Sequence, residues 1–451
     1  MKKMLFVLGL VLGLVTASSA TIVTNMNQSA MYLRLLSRNA STDIDAVYYN
    51  PAGLTRLADG WHVGLNNQTV FRTNTVVNDF PYLNNHQYDG KITVPIYPGI
   101  YVAYKKGPLA LSFGFCPSAG GGTADYAKGL PSFEWVYSAV PLMISSMGIP
   151  TSGYTADIAF KGSSIYLGFQ FNVSYAFTDE LSGAFGLRYV NAFNHYEGHI
   201  RSVMVNPTYP AIGLTGSYIP AATFFTMVGQ PAYAAMMGNQ TIDTDQAAQG
   251  VTPILSLNYA PLPNLNLAVK YEFVTKLTFQ NLTKTDTTGS FPNGVMNNDD
   301  VPAFLSVGVE WLVLPAFKVT ASYNYFFDKD ADWAGREKYV NNNSYDAALG
   351  VEYAVTDCLA LSAGYLYTRY DLAPGFQSDE AFSLGANSYG GGARIKISKA
   401  FDVDLSVMNS VNTSAQKLLT FITPTGSNMG SYLEHYSQKS FVFAVGLNFH
   451  L

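Results

Sequence analysis

After Trp61, hydrophobic and polar residues alternate with a period of two through most of the chain. The C-terminal run is the clearest case, because positions 441, 443, 445, 447, 449 and 451 are all apolar. Such alternation is typical of β-strands, in which successive side chains point to opposite faces. The pattern predicts strands at 61–73, 91–104, 108–116, 160–177, 181–205, 250–259, 264–283, 301–313, 317–328, 345–355, 359–370, 382–398, 401–412 and 439–451.

The connections between these fourteen strands alternate strictly between short and long. Tight turns are predicted at 105–107, 178–180, 261–263, 314–315, 356–357 and 399–400, and the longest loops are 117–159 and 206–249. Short turns at one end and long loops at the other indicate a transmembrane barrel with both termini on the same side. A soluble propeller or sandwich is the alternative, but it would lack this regular alternation. We therefore predict an all-β fold, a 14-stranded antiparallel transmembrane β-barrel over 61–451.

The composition supports a barrel in the bacterial outer membrane. Only 13% of residues are charged, against roughly 25% in soluble proteins, and 14% are aromatic. No later segment has the 18 or more consecutive apolar residues of a membrane-spanning helix. Lys2 and Lys3, an apolar stretch at 5–15 and the small residues around Ala20 predict a signal peptide at 1–20. The net charge of −5 gives no indication of a basic surface that would bind nucleic acid.

The same alternation assigns lipid and lumen faces. Along 264–283, Leu265 and Leu267 are expected to face lipid, which directs Lys270 into the lumen. A lysine or arginine facing the bilayer midplane would cost about 2–4 kcal/mol, so mid-strand charges should point inward. They form either a mutually neutralising network or a site for a ligand carboxylate among apolar side chains. The lumen candidates for ligand binding are Arg188, Lys270, Lys276, Arg394, Lys396, Phe304 and Phe326.

The two longest loops are rich in aromatic residues and methionine. Surface of this kind suits the adaptable capture of hydrophobic molecules. The alternative is that the loops pack on each other as a lid, which is compatible with capture. The capture candidates are Phe133, Trp135, Leu142, Met143, Phe224, Phe225 and Met236.

The segment before the first strand carries the turn sequence Asn50-Pro51-Ala52, preceded by Asp43 and Asp45. Together with the strand count, this motif resembles the FadL/TodX-like outer-membrane transporters of long-chain fatty acids and aromatic hydrocarbons. The resemblance implies a short, mostly helical N-terminal hatch at 21–60 that plugs the lumen. It also implies passive uptake, in which a ligand binds the loops, enters the lumen and leaves as the hatch shifts or through the wall. A kink or lateral gap is expected at Pro117, Gly120, Gly121 and Gly122.

Other chemistry is weakly indicated. His195, Glu197 and His199 share one strand face and could bind a metal or haem, but the spacing is not specific. The run from Asp328 lacks the glycine and glutamate of a calcium loop. No nucleophile elbow or phosphate-binding loop is present, so we expect no enzymatic activity, no metal and no cofactor. Cys116 and Cys358 are predicted too far apart for a disulfide.

The predicted function is therefore passive uptake of hydrophobic molecules, with long-chain fatty acids as the first expectation. Aromatic hydrocarbons, haem, a general porin and a structural barrel are the alternatives. The expected partners are a hydrophobic small molecule and the outer-membrane lipids, including lipopolysaccharide. We expect a monomer and no nucleic-acid partner.

Overall fold

The computed structural model, which describes residues 27–422 and 428–451, is built from antiparallel strands joined edge to edge. The predicted signal peptide at 1–20 lies outside the described residues. The strands are β1 Gly60–Asn78, β2 Gln87–Lys106, β3 Leu109–Tyr126, β4 Thr151–Ala176, β5 Leu181–Tyr209, β6 Leu214–Thr215, β7 Ile219–Pro220, β8 Gln240–Leu262, β9 Leu265–Glu272, β10 Thr278–Asp286, β11 Met296–Asn298, β12 Phe304–Leu314, β13 Phe317–Phe326, β14 Val340–Ala354, β15 Leu359–Leu372, β16 Ala386–Ser398, β17 Phe401–Asn412, β18 Ala415–Ile422 and β19 Asn428–His450.

Short helices occur before the first strand and in the long loops. The α-helices are α1 Ala30–Leu35, α2 Ala46–Tyr49, α3 Pro131–Ser138, α4 Val140–Ser146, α5 Ala221–Met227 and α6 Pro231–Met236. The 3₁₀ turns are Pro51–Arg56, Pro210–Ile212, Asp328–Asp330, Glu337–Tyr339 and Pro374–Phe376. Within the described residues no helix combines the length and the apolarity that crossing a membrane requires.

The first and last strands pair with each other, which closes the sheet. β1 pairs with β19 from His62–His450 to Asn78–Glu434. β9 with β10, β11 with β12 and β17 with β18 each form one broken barrel strand, and β6 and β7 belong to the loop after β5. The ring is therefore a closed 14-stranded antiparallel barrel, as the alternation predicted. We call the end with the short turns and the chain's C-terminus the turn end, and the other the loop end.

Several strands extend further towards the loop end than the sequence predicted. β4 begins at Thr151 rather than at 160, and its pairing with β5 reaches Thr151–Pro207. The hydrogen-bonded ladder continues in this region although the exposed residues, such as Ser152 and Asp157, are polar. The barrel wall therefore stands taller than its apolar band.

Strand β3 separates from β2 part-way along its length. Pairing continues from the turn to Ile100–Phe115, then stops, and returns only at Lys91–Asp125. We call the unpaired segments 92–99 of β2 and 116–124 of β3 the wall gap. On its other side β3 stays paired with β4, but with two irregularities in register between Pro117 and Gly122.

Glycine makes the bend of β3 possible. Gly120 and Gly122 have φ angles of 79° and 90°, a region that residues with a Cβ rarely occupy. A hydrogen bond from the Tyr97 hydroxyl to the carbonyl oxygen of Pro117, at 2.8 Å, is a side-chain link across the wall gap. The pairing of β3 is therefore irregular at these residues, and a side chain rather than a ladder joins the edges of the wall gap.

Residues 27–59 lie inside the barrel, and most of their side chains are buried. Ser29 begins α1 by accepting a hydrogen bond from the Tyr32 amide, and Leu36 ends it in the left-handed region at φ 55°. We call residues 27–59 the hatch. Its apolar side chains share one core with inward residues of the wall, including Phe304, Phe326, Leu366 and Met408.

Glycines of the wall allow the hatch backbone to approach closely. Gly350, Gly364 and Gly390 are cross-strand neighbours on β14, β15 and β16. A Cβ placed on any of them would overlap the carbonyl oxygen of Leu33 or Leu35. We call these three residues the glycine row. The absence of side chains at these positions lets the wall and α1 pack closely, since a methyl group there would push α1 away.

The two cysteines are both free, as predicted. Cys116 is buried on β3, and Cys358 is exposed in the turn between β14 and β15.

The wall gap predicts a local difference in amide protection. Amides of 92–99 and 116–124 have ladder partners on one side only, so we expect them to exchange hydrogen faster than those of 100–115. Hydrogen-exchange mass spectrometry on the detergent-solubilised protein would measure this. Equal protection of the three segments would contradict the absence of pairing.

Candidate functional site

The Asn50-Pro51-Ala52 motif fastens the hatch to the inner face of β4, β5 and β8. Asn50 is fully buried, and its Nδ2 donates to the Ser41 carbonyl oxygen at 3.0 Å and to Asn258 Oδ1 at 2.7 Å. The backbone carbonyl oxygens of Pro51 and Ala52 accept hydrogen bonds from wall serines at 2.7 and 2.8 Å. Those serines are Ser174 and Ser182. The motif is a docking element between the hatch and the wall.

The hatch contains two buried arginines, and Arg34 connects it to the opposite side of the barrel. Arg34 bonds to Glu352 on β14 and lies 2.9 Å, Nε to Oδ1, from Asp404 on β17. Arg38 pairs with Asp43 and Asp45 of the hatch itself, each at 2.7 Å. Both guanidinium groups are fully buried, so separating them from their carboxylates would leave uncompensated charge.

The predicted lumen cations Arg188 and Lys270 share one carboxylate, Glu272. Arg188 forms a bidentate pair with Glu272 at 2.5 and 3.0 Å, and Lys270 Nζ lies 2.6 Å from the same group. Lys270 also donates to the Tyr48 carbonyl oxygen at 2.9 Å, and both cations lie over the Tyr48 ring. These two side chains therefore hold the hatch rather than offering a vacant cationic site.

The remaining lumen candidates are also engaged or displaced. Arg394 contacts Asp43 of the hatch together with Asp402 and Asp404 on β17. Phe304 and Phe326 are buried in the core that the hatch shares with the wall. The neutralising network, which the sequence left open as the simpler interpretation, accounts for Arg188, Lys270 and Arg394.

One of the inward assignments is wrong. Lys276 is exposed between the buried Thr275 and Leu277, because the break between β9 and β10 shifts the alternation by one residue after Glu272. Lys396 pairs in register with Asp402 and so shares the inward face of Arg394, but it is exposed near the turn end of β16, away from the lumen cavity described next.

A cavity of about 420 Å³ occupies the lumen between the hatch and the loops. We call it the lumen cavity. Asn27 and Gln28 line it at the hatch, and Gly120, Gly121 and Gly122 line it at the wall gap. The lining also contains six aromatic residues, namely Tyr97, Tyr126, Phe160, Tyr196, Tyr370 and Phe382. The cavity thus adjoins the one stretch of wall where β2 and β3 are unpaired.

Arg72 on β1 is the cation of the lumen cavity that the sequence reasoning missed. Its guanidinium group donates to Asn74 Oδ1 at 3.0 Å and to Gln438 Oε1 at 2.6 Å. It makes no ion pair with a carboxylate of residues 27–422 or 428–451. Arg72 lies at the end of a predicted strand, which could have marked it as a candidate. Whether a lumen cation has a carboxylate partner, however, depends on strands that are distant in the sequence.

A second cavity, of about 320 Å³, lies among the loops. We call it the loop groove. It is mostly apolar, with Phe133 and Val136 from α3 on one side and Met236, Ile242 and Phe291 on another. Phe133 and Met236 are therefore capture candidates that do line a cavity.

The other capture candidates build the loops rather than the loop groove. Phe224 and Phe225 are fully buried, contrary to the expectation of exposed rings, and Met143 packs against the same cluster. Trp135 and Leu142 pack against a separate cluster formed around Phe80 and Phe421. The two long loops thus have cores of their own, as the lid interpretation expected.

Glu380, in the loop between β15 and β16, borders both the lumen cavity and the loop groove. Burial raises the pKa of Glu380 to about 8; the neighbouring Asp379 adds to the rise and Arg336 opposes it. Asp379 is fixed by the Ser132 amide, which donates to its Oδ2 at 2.7 Å.

The residues considered for metal binding lie elsewhere. His195 Nδ1 is 2.7 Å from Asp245 Oδ1 on the neighbouring strand, and His199 Nε2 is 3.3 Å from Asp157 Oδ2. Asp328 accepts a hydrogen bond from the Ser344 amide at 2.9 Å. Among the described residues no group of three or more His, Cys, Asp or Glu is arranged to hold a metal ion.

Comparison with known proteins supports the architecture. The chain is similar to the crystal structure of a Pseudomonas aeruginosa FadL homologue, with a TM-score of 0.65 and 13% identity over 96% of this chain and 99% of that one. It is also similar to the Pseudomonas putida toluene transporter TodX, with a TM-score of 0.60 and 14% identity over 96% and 100% of the two chains.

A third solved structure agrees, the Ralstonia pickettii toluene transporter TbuX, with a TM-score of 0.56 and 17% identity over 95% and 100%. This chain has the FadL/TodX fold. The likeness covers nearly the whole length on both sides, hatch and barrel together. No family model and no curated protein sequence matches the chain.

Replacing Asn50 by aspartate should loosen the hatch of this FadL/TodX-fold barrel. Asn50→Asp removes the donor and puts a carboxylate against the Ser41 and Asn258 oxygens, so we expect hatch docking to weaken by at least about 1–3 kcal/mol. Limited proteolysis of residues 27–59 and thermal unfolding would measure it.

The matched control is Asn239→Asp. Asn239 is exposed and accepts from the Ser202 amide, a role that a carboxylate can keep. If the hatch of Asn50→Asp resists proteolysis as well as the hatch of the control does, the motif does not fasten it.

Proposed function

We propose that this chain is an outer-membrane channel for the passive uptake of hydrophobic molecules. In this proposal a ligand is captured in the loop groove, passes into the lumen cavity and leaves sideways through the wall gap. The position of the lumen cavity carries the proposal, because it lies above the hatch and is bounded by Gly120, Gly121 and Gly122 at the gap. An apolar molecule that leaves there meets lipid rather than water.

Two features favour this function over that of a general porin. A porin needs an open polar lumen, whereas the hatch here fills the turn end of the barrel. The loop groove is largely apolar, which suits capture of a molecule with little polar surface. A purely structural barrel would need neither cavity.

Release past a moving hatch is the other route that the sequence suggested. It would require Arg34 to leave Glu352 and Asp404, and breaking a buried ion pair costs about 3–5 kcal/mol. The wall gap requires only side chains such as Tyr97 to move. We therefore favour exit through the wall with the hatch in place.

Long-chain fatty acids are the ligands that we propose first. Arg72 lines the lumen cavity with amide partners only, so it is the described lumen cation best placed to receive a carboxylate. Aromatic hydrocarbons are the second candidate, since two of the similar structures are toluene transporters and the lumen cavity is rich in aromatic rings. Haem is a third, from the sequence alone.

The remaining elements of the proposal follow from an outer-membrane location. The chain would be exported by the predicted signal peptide, act without enzymatic activity, and contact lipopolysaccharide and phospholipid as a monomer. The outward-facing surface fits this setting, because Phe171, Leu187 and Leu257 are large, apolar and exposed.

Filling the wall gap should stop uptake. Gly121 lines the lumen cavity, its φ is outside the left-handed region, and a Cβ added there would meet no atom within 4 Å. Gly121→Phe should therefore be accepted by the fold and reduce uptake to background, while Gly121→Ala, the control, leaves the gap open. Labelled oleate and toluene would be measured in cells that lack their own transporter, at equal surface expression.

Equal uptake by the phenylalanine and alanine variants would refute the lateral route. If the unmodified protein takes up toluene but not oleate, the proposed channel function stands and aromatic hydrocarbons replace fatty acids as its ligands. Uptake of neither would refute the proposed function.

Arg72 can be tested by binding to the purified protein. Arg72→Met should weaken binding of oleate by about tenfold to a hundredfold, because a hydrogen bond to a charged group contributes about 1.5–3 kcal/mol. Oleyl alcohol should bind with unchanged affinity, and Arg72→Lys should keep most of the oleate affinity. Lys396→Met, which removes an exposed cation remote from the cavity, is the matched control. A parallel loss for the acid and the alcohol would mean that Arg72 is structural.

A further inference from the structure

A layer of four aromatic rings separates the loop groove from the lumen cavity. Phe133 and Phe291 line the loop groove, and Phe160 and Tyr196 line the lumen cavity. The rings are in contact, with centroids 5.0 Å apart for Phe133–Phe160, 6.3 Å for Phe160–Tyr196 and 5.4 Å for Tyr196–Phe291. We call these four residues the aromatic partition. A ligand that moves between the cavities passes at or beside it.

The aromatic partition has one ionisable neighbour that borders both cavities. Glu380 contributes to the lining of each, and it makes no hydrogen bond or ion pair with any residue in 27–422 or 428–451. Asp379, which precedes it, is buried and held by the Ser132 amide at the start of α3. Glu380 is thus a carboxyl group on the passage between two ligand-sized spaces, and Arg336 is the cation that acts on it.

The charged and titratable groups around Glu380 come from several elements. Asp379 adjoins it in the chain, and Arg336, which donates to the Phe376 carbonyl oxygen, acts on it from the loop after β13. His199 of β5 lines the loop groove, and Arg72 of β1 lines the lumen cavity. Neither Arg72 nor His199 forms an ion pair with Glu380.

We propose that Glu380, once ionised, makes the passage across the aromatic partition charge-selective, so that it then disfavours carboxylate ligands relative to uncharged ligands of the same chain length. Two carboxylates in a poorly hydrated space repel each other, whereas an alcohol or a hydrocarbon is indifferent to the charge of Glu380. The inference rests on the proposed function and refines its substrate class.

The direction of the pH dependence follows from the environment of Glu380. Its pKa is raised to about 8, chiefly by burial, so below that pH the group is mostly uncharged and a carboxylate meets little repulsion. Above that pH Glu380 is ionised and selection against carboxylates is strongest. Selectivity for uncharged ligands should therefore rise as pH passes through about 8.

The test compares uptake of labelled dodecanoate and dodecanol by cells expressing the full-length protein, one pH unit below and one above the Glu380 pKa of about 8. We expect the dodecanoate-to-dodecanol ratio of the unmodified protein to fall by up to about tenfold over that range, because the uncharged fraction of Glu380 falls about tenfold between the two pH values. In Glu380→Gln, which is nearly isosteric and never charged, the dodecanoate-to-dodecanol ratio should be the same at both pH values. Glu380→Asp should retain the fall.

Glu197→Gln is the matched control, because Glu197 is an exposed glutamate on β5 that borders neither cavity. The uptake ratio of Glu197→Gln should fall with pH as that of the unmodified protein does. Comparing Glu380→Gln with this control also corrects for the ionisation of dodecanoate itself. An identical fall in Glu380→Gln and Glu197→Gln would overturn the inference while leaving the channel intact. Uptake of neither ligand by the unmodified protein would overturn the proposed function and the inference together.

Discussion

The structure depends on a set of buried ion pairs where the hatch meets the wall. Arg34 reaches Glu352 and Asp404 on one side of the lumen, while Arg188 and Lys270 clamp Glu272 and Tyr48 on another. Each of these charges has been removed from water, so it is stable only while its partner remains in place. The network therefore fixes the hatch at one depth and orientation. Everything above it, including the floor of the lumen cavity, is positioned by that constraint.

Because the hatch is fixed in this way, opening for a ligand must occur in the barrel wall. Along β2 and β3 the ladder is interrupted, and Gly120 and Gly122 allow the strand to bend without a steric penalty. The edges of the interruption are joined by side chains, which change rotamer far more readily than a ladder separates. The rigid and the adaptable parts of the barrel thus lie next to each other, and the lumen cavity connects them.

Much of the fold could be predicted from the sequence, because alternation and turn length are local properties. The strand number was correct for that reason. The alternation failed at Lys276, where the break after Glu272 shifts the inward face by one residue. The composition of the long loops was a poor guide for Phe224 and Phe225, since an apolar loop residue can be buried among other loop residues rather than face a ligand.

The candidate site was predicted less well than the fold. Inward cations were found by parity, but which of them are neutralised depends on pairs far apart in the chain, such as Arg34 with Asp404. Arg72 and Glu380 stand out only once such pairs are known. A residue's face can be read from its neighbours, whereas its electrostatic partner requires the folded chain.

The glycine row has a consequence for the order of assembly. Its members lie on β14, β15 and β16, and they leave room for the carbonyl oxygens of a segment that is synthesised before any strand. Arg34, in that early segment, finds Asp404 only on β17. Docking of the N-terminal segment therefore requires strands from the last third of the chain. Closure of the ring between β1 and β19 and seating of α1 depend on the same C-terminal part of the chain.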